Sequence, residues 1–195
     1  MNKEFLKTQS GQSINGPIVF KTNIFEDQRG FFYESWNSKI FNEVVLDKVK
    51  FVQDNISFSK KGVLRGLHYQ VNPFIQGKLV RCIKGKIFDV IVDLRTSSST
   101  FLGWSSILLS DKNCKQLWVP GGFAHGFLTI STEAIVKYKV NNYWEKDSER
   151  TLKWNDSDVN IRWPIKEFDI NKPFLSEKDA SARTFIQLKE NNDLL

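Results

Sequence analysis

The chain has 195 residues, 41% of them hydrophobic and 26% charged, which excludes a disordered, collagen-like or membrane-bundle protein. Twenty-eight Lys and Arg against 22 Asp and Glu leave a net charge of +6, and nine of the basic residues fall between Lys48 and Lys86 with one acid, Asp54. That surplus suits a small anion, nucleic acid, a membrane surface or simply a solvated basic face, and the lack of zinc-finger spacing, heptads or an aromatic–basic repeat sets nucleic acid aside.

No apolar run reaches the ~20 residues that a spanning helix needs, so no membrane association is expected. Two cysteines, Cys82 and Cys114, form no CxxC and read as reduced thiols. The first residues hold no apolar stretch of the kind a secretory signal needs, and the expected location is cytoplasmic. The length suits one domain over residues 1–195, with a polar N-terminal segment (1–15) and a short tail (190–195) expected to be loose.

In chain order, strands are expected at Pro17–Lys21, Gly30–Ser35, Phe51–Ser59, Gly62–Gln70, Lys78–Ile83, Lys86–Leu94, Trp104–Ser110, Lys115–Val119, Gly126–Ile130 and Ala134–Val140. The clearest is KIFDVIVDL, which places Phe88, Val90, Val92 and Leu94 on one face and two aspartates on the other. Lys84-Gly85 before it reads as a hairpin turn. Helices are expected at Asn37–Val45 and at Ser176–Glu190, where Ser176 and Asp179 resemble a capping box. Many short strands with Gly and Pro between them, and 16 Phe, 6 Trp and 4 Tyr to fill a core, point to a mainly β sandwich or small barrel.

Two histidines occur, His68 in GVLRGLHYQ and His125 in VPGGFAHGFL, each near glycine. A lone histidine in an apolar strand is more often a satisfied core residue than a catalyst, yet imidazole is also the commonest acid–base group at neutral pH. Alternation in Ala134–Val140 puts Tyr138 on the face of Ala134, Val136 and Val140, toward an interior, where a tyrosine needs a partner for its hydroxyl. The residues alone leave Asp179 open as a helix cap and Lys78 open as a strand-end surface cation.

Pro120–His125 has the form PxGxxH and resembles the second motif of the cupins, which are jelly-roll barrels whose histidines often bind a metal. The first cupin motif is HxH followed by Glu. Here the matching stretch is His68-Tyr69-Gln70, with Lys78 where an acid would be sought. Two histidines cannot supply a three-His site and an ammonium repels a cation, so no metal is expected.

The strings DQRGFFYESWN, FVQDNISFSKKGVLRGLHYQ, QGKLVRCIKGKIFDVIVDLR, STFLGW, QLWVPGGFAHGFL, VKYKVNNYW, ER…WND and LSEKD run in order from about Gly16 to Asp179. Together they resemble the dTDP-4-dehydrorhamnose 3,5-epimerases. That resemblance implies a cupin-type jelly roll with a few short helices. It also implies no metal or nucleotide cofactor, a dTDP-4-keto-6-deoxy sugar as substrate, a product leading to dTDP-L-rhamnose, and a homodimer with N-terminal strand exchange.

Site residues follow from the same resemblance. His68 matches the base and Asp179 its partner, Tyr138 the general acid, and Lys78 the cation near the sugar's C4 oxygen. His125 matches a second histidine of the sugar pocket. Arg29 and Arg65 match diphosphate-binding arginines, with Arg29, Phe32 and Glu34 coming from the partner subunit. Gln53 and Asn55 match polar residues around thymidine and phosphates. Tyr143 precedes Trp144 where the family more often has two tyrosines. Residue by residue, a C3- or C5-monoepimerase matches equally well. A non-catalytic sugar-nucleotide binder would not require His68, Tyr138, Lys78 and Asp179 together, and a 3,4-ketoisomerase fits RGLHYQ and GFAHGF less well. Arg65 and His68 are three apart and would point to opposite faces of a regular strand, so irregular backbone is expected at Gly66.

Overall fold

The computed structural model describes residues 2–195. Thirteen strands form two antiparallel sheets and one small hairpin among these residues. The six-stranded sheet runs β1 (Asn2–Lys7), β2 (Ser13–Lys21), β10 (Gln116–Val119), β7 (Lys78–Lys84), β12 (Glu133–Val140), β5 (Gln53–Lys60). The five-stranded sheet runs β13 (Glu149–Thr151), β6 (Leu64–Gln70), β11 (Phe123–Thr129), β8 (Lys86–Asp93), β9 (Trp104–Ser110). Within these, β5-β12-β7-β10 faces β6-β11-β8-β9, the strand arrangement of a jelly roll. The remaining hairpin joins β3 (Phe25–Asp27) to β4 (Gly30–Phe32).

Three expectations need correction. Lys84-Gly85 does not close a hairpin, because β7 and β8 lie in different sheets. The Gly85 N–H bonds the Asp111 carboxylate at 2.9 Å and the chain turns a corner there. The misreading follows from period two, which reports one apolar face, whereas β8 is buried on both. Ile87 and Ile91 enter the core between the sheets, while Val90, Val92 and Leu94 enter a second core on the outer side. Asp89 and Asp93 are therefore interior, not solvated.

Second, the polar start is a paired strand: β1 lies along β2 from Asn2↔Lys21 to Lys7↔Ser13, with Leu6 packed on the inter-sheet core. The tail is also anchored, since the Thr96 N–H donates to the Leu195 carbonyl at 2.7 Å and Leu194 and Leu195 pack on the outer core.

Third, the expected helix at Ser176–Glu190 is two short helices, α2 (Glu177–Ala180) and α3 (Phe185–Glu190). Thr184 interrupts it by starting α3 with a capping box to Gln187, in which each side chain bonds the other residue's backbone N–H. The earlier helix, α1 (Ser38–Val45), begins at Asn37, whose side chain accepts from the N–H groups of Lys39 and Ile40. It lays Phe41 over Phe20 and Trp118 on the outer face of the six-stranded sheet.

Candidate active site

Between the two sheets lies a cavity of about 280 Å³. The five-stranded sheet lends it Arg65 and His68 from β6, His125, Gly126 and Phe127 from β11, and Glu149 from β13; the facing sheet lends Ser57, Lys78, Val136 and Tyr138. Trp144 closes one side.

The backbone at Gly66 is what brings Arg65 and His68 to one wall. His68 pairs with His125 and Arg65 with Phe127, so three steps along β6 answer two along β11. The extra residue is Gly66, at φ +118, a conformation side chains rarely adopt. A Cβ there would sit 2.6 Å from the Cα of Gly126. Leu67 and Tyr69 turn into the outer core, leaving His68 to face inward.

His68 Nε2 lies 2.6 Å from Asp179 Oδ1, and the His68 side chain is 27% exposed. Asp179 sits on α2. Its N–H donates to Ser176 Oγ at 3.1 Å, so Ser176 caps the helix as expected, and the Ser176 hydroxyl donates to Asp179 Oδ2 at 2.9 Å. The Asp179 side chain does not complete a reciprocal box; its other oxygen is spent on the imidazole. Burial pushes the His68 pKa down, and Lys78 and Lys178 add to this, while Asp179 works in the opposite direction. Burial raises the Asp179 pKa, but the bonds to His68 and Ser176 outweigh it and hold the carboxyl below its ordinary value.

His125 forms a second pair. Its Nε2 lies 3.0 Å from both oxygens of Asp89, which has no exposure to solvent and whose pKa is raised by burial against the opposing pull of His125 and Lys78. Lys78 is not a surface cation. Its Nζ donates to the His68 carbonyl at 3.2 Å, and burial lowers its pKa to about 8. Burial raises the Tyr138 phenol. Arg65 donates to Ser59 Oγ at 3.0 Å and to the Phe58 carbonyl at 3.1 Å, and among the described residues no carboxylate pairs with it.

The other expected site residues lie outside the cavity wall. Gln53 donates to Asn55 at 2.8 Å along β5. Arg29 is 89% exposed and paired with Asp27 across the tip of the β3–β4 hairpin. Phe32 is 70% exposed, and it and Glu34 line a separate shallow cleft with Phe25 and Ile40. Tyr143 is exposed, and it is Trp144 that reaches the cavity.

Two carboxylates at the site escaped the sequence reading: Glu149 lines the cavity, and Asp89 stands behind the wall, bonded to His125. Glu149, 2.6 Å from Lys178, has its pKa lowered: burial raises it, but Lys178, Trp144 and His68 prevail. Its signal was the ER string, in a strand of three residues. Asp89 was legible only as an alternating polar position. Among the described residues no three His, Cys, Asp or Glu side chains are grouped to hold a metal ion.

Comparison with known proteins agrees along nearly the whole chain. Residues 11–187 match the family model described as dTDP-4-dehydrorhamnose 3,5-epimerase. The enzyme of that name from Shigella flexneri is 52% identical over 169 residues, covering 87% of this chain and 91% of its own. The structure resembles a dTDP-6-deoxy-D-glucose-3,5-epimerase from Legionella pneumophila in complex with dTDP-4-keto-L-rhamnose, with a TM-score of 0.88, 40% identity and 99% and 97% of the two chains covered. It also resembles a 3'-monoepimerase from Streptomyces bikiniensis in complex with dTDP-quinovose, with a TM-score of 0.86, 28% identity and 93% and 89% covered.

Proposed function

The chain belongs to the dTDP-4-dehydrorhamnose 3,5-epimerase family of isomerases, and from that premise we propose how its own residues carry the reaction. The substrate is a 4-keto-6-deoxy hexose on dTDP. Hydrogens at C3 and C5 are α to the carbonyl, so a base can remove one and leave an enolate. Inversion then requires a proton from the opposite face.

The observation that carries the reading is that an imidazole and a phenol, suited to be base and acid, stand on opposing walls. His68 comes from β6 of one sheet and Tyr138 from β12 of the other, with one cavity between them. Asp179 holds His68 Nε2, which fixes the tautomer and leaves Nδ1 to take the proton. Tyr138, protonated at neutral pH, returns one from across the cavity. Lys78 supplies positive charge to the enolate oxygen, and its desolvated ammonium interacts more strongly there than it would in water. His125, anchored by Asp89, lines the sugar pocket. No step is assigned to a metal or a cofactor.

A cavity of about 280 Å³ is at the small end of ligand pockets, so it takes the sugar while the nucleotide extends beyond it. Arg65, uncommitted to any carboxylate, binds the diphosphate bidentately. Arg29, Phe32 and Glu34 reach a nucleotide from a second copy through strand exchange, with Gln53 and Asn55 beside it and Trp144 or Tyr143 against the base. Supporting this, the β3–β4 hairpin exposes Phe25, Phe31 and Phe32, and the outer face of β5 exposes Ile56 and Phe58. That is more apolar surface than a lone chain keeps without a use.

The test is NMR of dTDP-4-keto-6-deoxyglucose with the protein in deuterated water. Deuterium at both C3 and C5 with an L-configured product is expected. Deuterium at one carbon selects the monoepimerase reading, which the Streptomyces likeness keeps in play, and deuterium at neither refutes the proposed chemistry.

A further inference from the structure

The segment after Gln187 lies beyond the residues that match the family model. It nevertheless packs on the outer core behind β6, the strand that carries His68. Asp193, buried near the end of the chain, uses both carboxylate oxygens: Oδ1 accepts from Arg150 Nε at 2.6 Å and Oδ2 from an Arg183 guanidinium nitrogen at 2.8 Å. Its carbonyl accepts from the Tyr69 hydroxyl at 2.9 Å, and its own N–H donates to the Leu188 carbonyl at 2.9 Å.

Each partner adjoins a residue of the site. Tyr69 follows His68 on β6. Arg150 follows Glu149 on β13, and Arg150 is the cross-strand partner of Tyr69 while Thr151 is that of His68. Arg183 stands four residues after Asp179, and its carbonyl accepts from the Lys153 N–H at 2.8 Å. The Asp193 side chain thus joins the strand of Glu149 to the segment that follows the base's carboxylate, and its main-chain carbonyl ties both to the strand of the base. α2 has only four residues and cannot hold its own orientation by helix length.

We propose that Asp193 is a positioning residue for the epimerisation, holding Asp179 against His68 through Arg183 and Arg150. This rests on His68–Asp179 being the base and its partner. Two guanidinium groups on one buried carboxylate form strong, directional bonds, and removing the shared anion releases both arms together. α2 then gains freedom relative to β6, and the 2.6 Å contact between His68 and Asp179 is the contact that loosens. Displacements of about 1 Å remote from the chemistry can cost on the order of 100-fold in rate.

The experiment compares Asp193→Asn, Asp193→Glu, Asp179→Asn and the Asp193→Asn/Asp179→Asn double variant in turnover of dTDP-4-keto-6-deoxyglucose, with His68→Ala as reference. Asp193→Asn is expected to lower kcat by roughly tenfold to 100-fold and to leave KM within about threefold. Because Asp179 raises the His68 pKa, loosening it moves the acid limb of the rate profile to lower pH. In the Asp179→Asn background Asp193→Asn adds no further loss, and Asp193→Glu restores part of the rate. Wild-type kcat with an unmoved acid limb, whatever the melting temperature, overturns the proposal, as does a full additional loss in the Asp179→Asn background. If Asp193→Asn does not fold, Arg183→Gln releases one arm from a half-exposed position and is judged on the same readouts. An active His68→Ala would sink the underlying assignment of the base instead; an inactive His68→Ala beside a fully active Asp193→Asn sinks the positioning role alone.

Discussion

His68 and His125 are cross-strand neighbours, each bonded through Nε2 to an aspartate, yet they occupy different physical worlds. The His68 side chain is 27% exposed, and its carboxylate comes from a four-residue helix late in the chain. The His125 side chain is 9% exposed, and its carboxylate comes from the adjacent strand, with both oxygens at 3.0 Å and no exposure at all. The Asp179 pKa falls below its ordinary value, whereas that of Asp89 rises. A pair that must exchange protons with a ligand keeps one edge open and its carboxylate charged. A pair that is part of the wall is sealed. On the proposed assignment the same two residue types serve turnover at His68 and hold the cavity wall at His125, and the two pairs differ in burial.

The strongest way to break this contrast is His68→Ala. It is expected to lower kcat about 10²–10⁴-fold, the scale of one acid–base group, while the melting temperature and dTDP affinity stay near wild type. Retention of more than about a tenth of the activity would remove His68 from its role. Next in size is Tyr138→Phe. Proton removal persists and its return from the far wall fails, so solvent deuterium enters the sugar without full inversion. Normal L-configured product at the wild-type rate would contradict it.

Asp89→Asn tests the sealed pair. Removing one partner of a buried pair costs about 3–5 kcal/mol. Thermal melts should therefore show a larger loss for Asp89→Asn than for Asp179→Asn, and rate assays the reverse order. If the two variants rank the same way in both assays, the division between turnover and architecture is wrong.

The mildest test is pH. His68 accepts a proton only when neutral, and its depressed pKa keeps it neutral to below the ordinary imidazole value of ~6.5. The rate constant kcat/KM is thus lost as pH falls through that lower value. Lys78 must be charged, and its cation is lost as pH rises past about 8. A bell between those limits is expected, and a rate still rising above pH 9 would exclude Lys78 from the chemistry.

Much of the fold was legible because turn residues separate the short apolar runs of β6 to β12, although β10 and β11 are buried at every position and show no alternation. What could not be read had short-range causes. β13 is three residues long and gives no period, and β1 turns one large apolar side chain, Leu6, to the core between the sheets. A helical pattern extends through residues 181–184, and the signal that divides it is the Thr184–Gln187 capping-box spacing, which the Ser176–Asp179 pair upstream obscures. At the site, the alternation of Tyr138 was readable. The burial of Lys78 was not, since a lysine at a strand end has the same spacing whether it faces water or a cavity. Arg29 stands on an exposed hairpin tip away from the cavity, and its proposed place beside a nucleotide rests on a second copy of the chain.

The contact between β6 and β11 has a consequence for how this sequence can drift. A Cβ at Gly66 would meet Gly126 Cα at 2.6 Å, and a Cβ at Gly126 would meet the Arg65 carbonyl at 2.6 Å. Neither position can accept a first substitution that a second one at the other then accommodates, because each new atom meets main chain and not a side chain that could shrink. The two glycines thus form a joint constraint with no single-step exit, and the spacing of His68 from His125 is inherited as a unit.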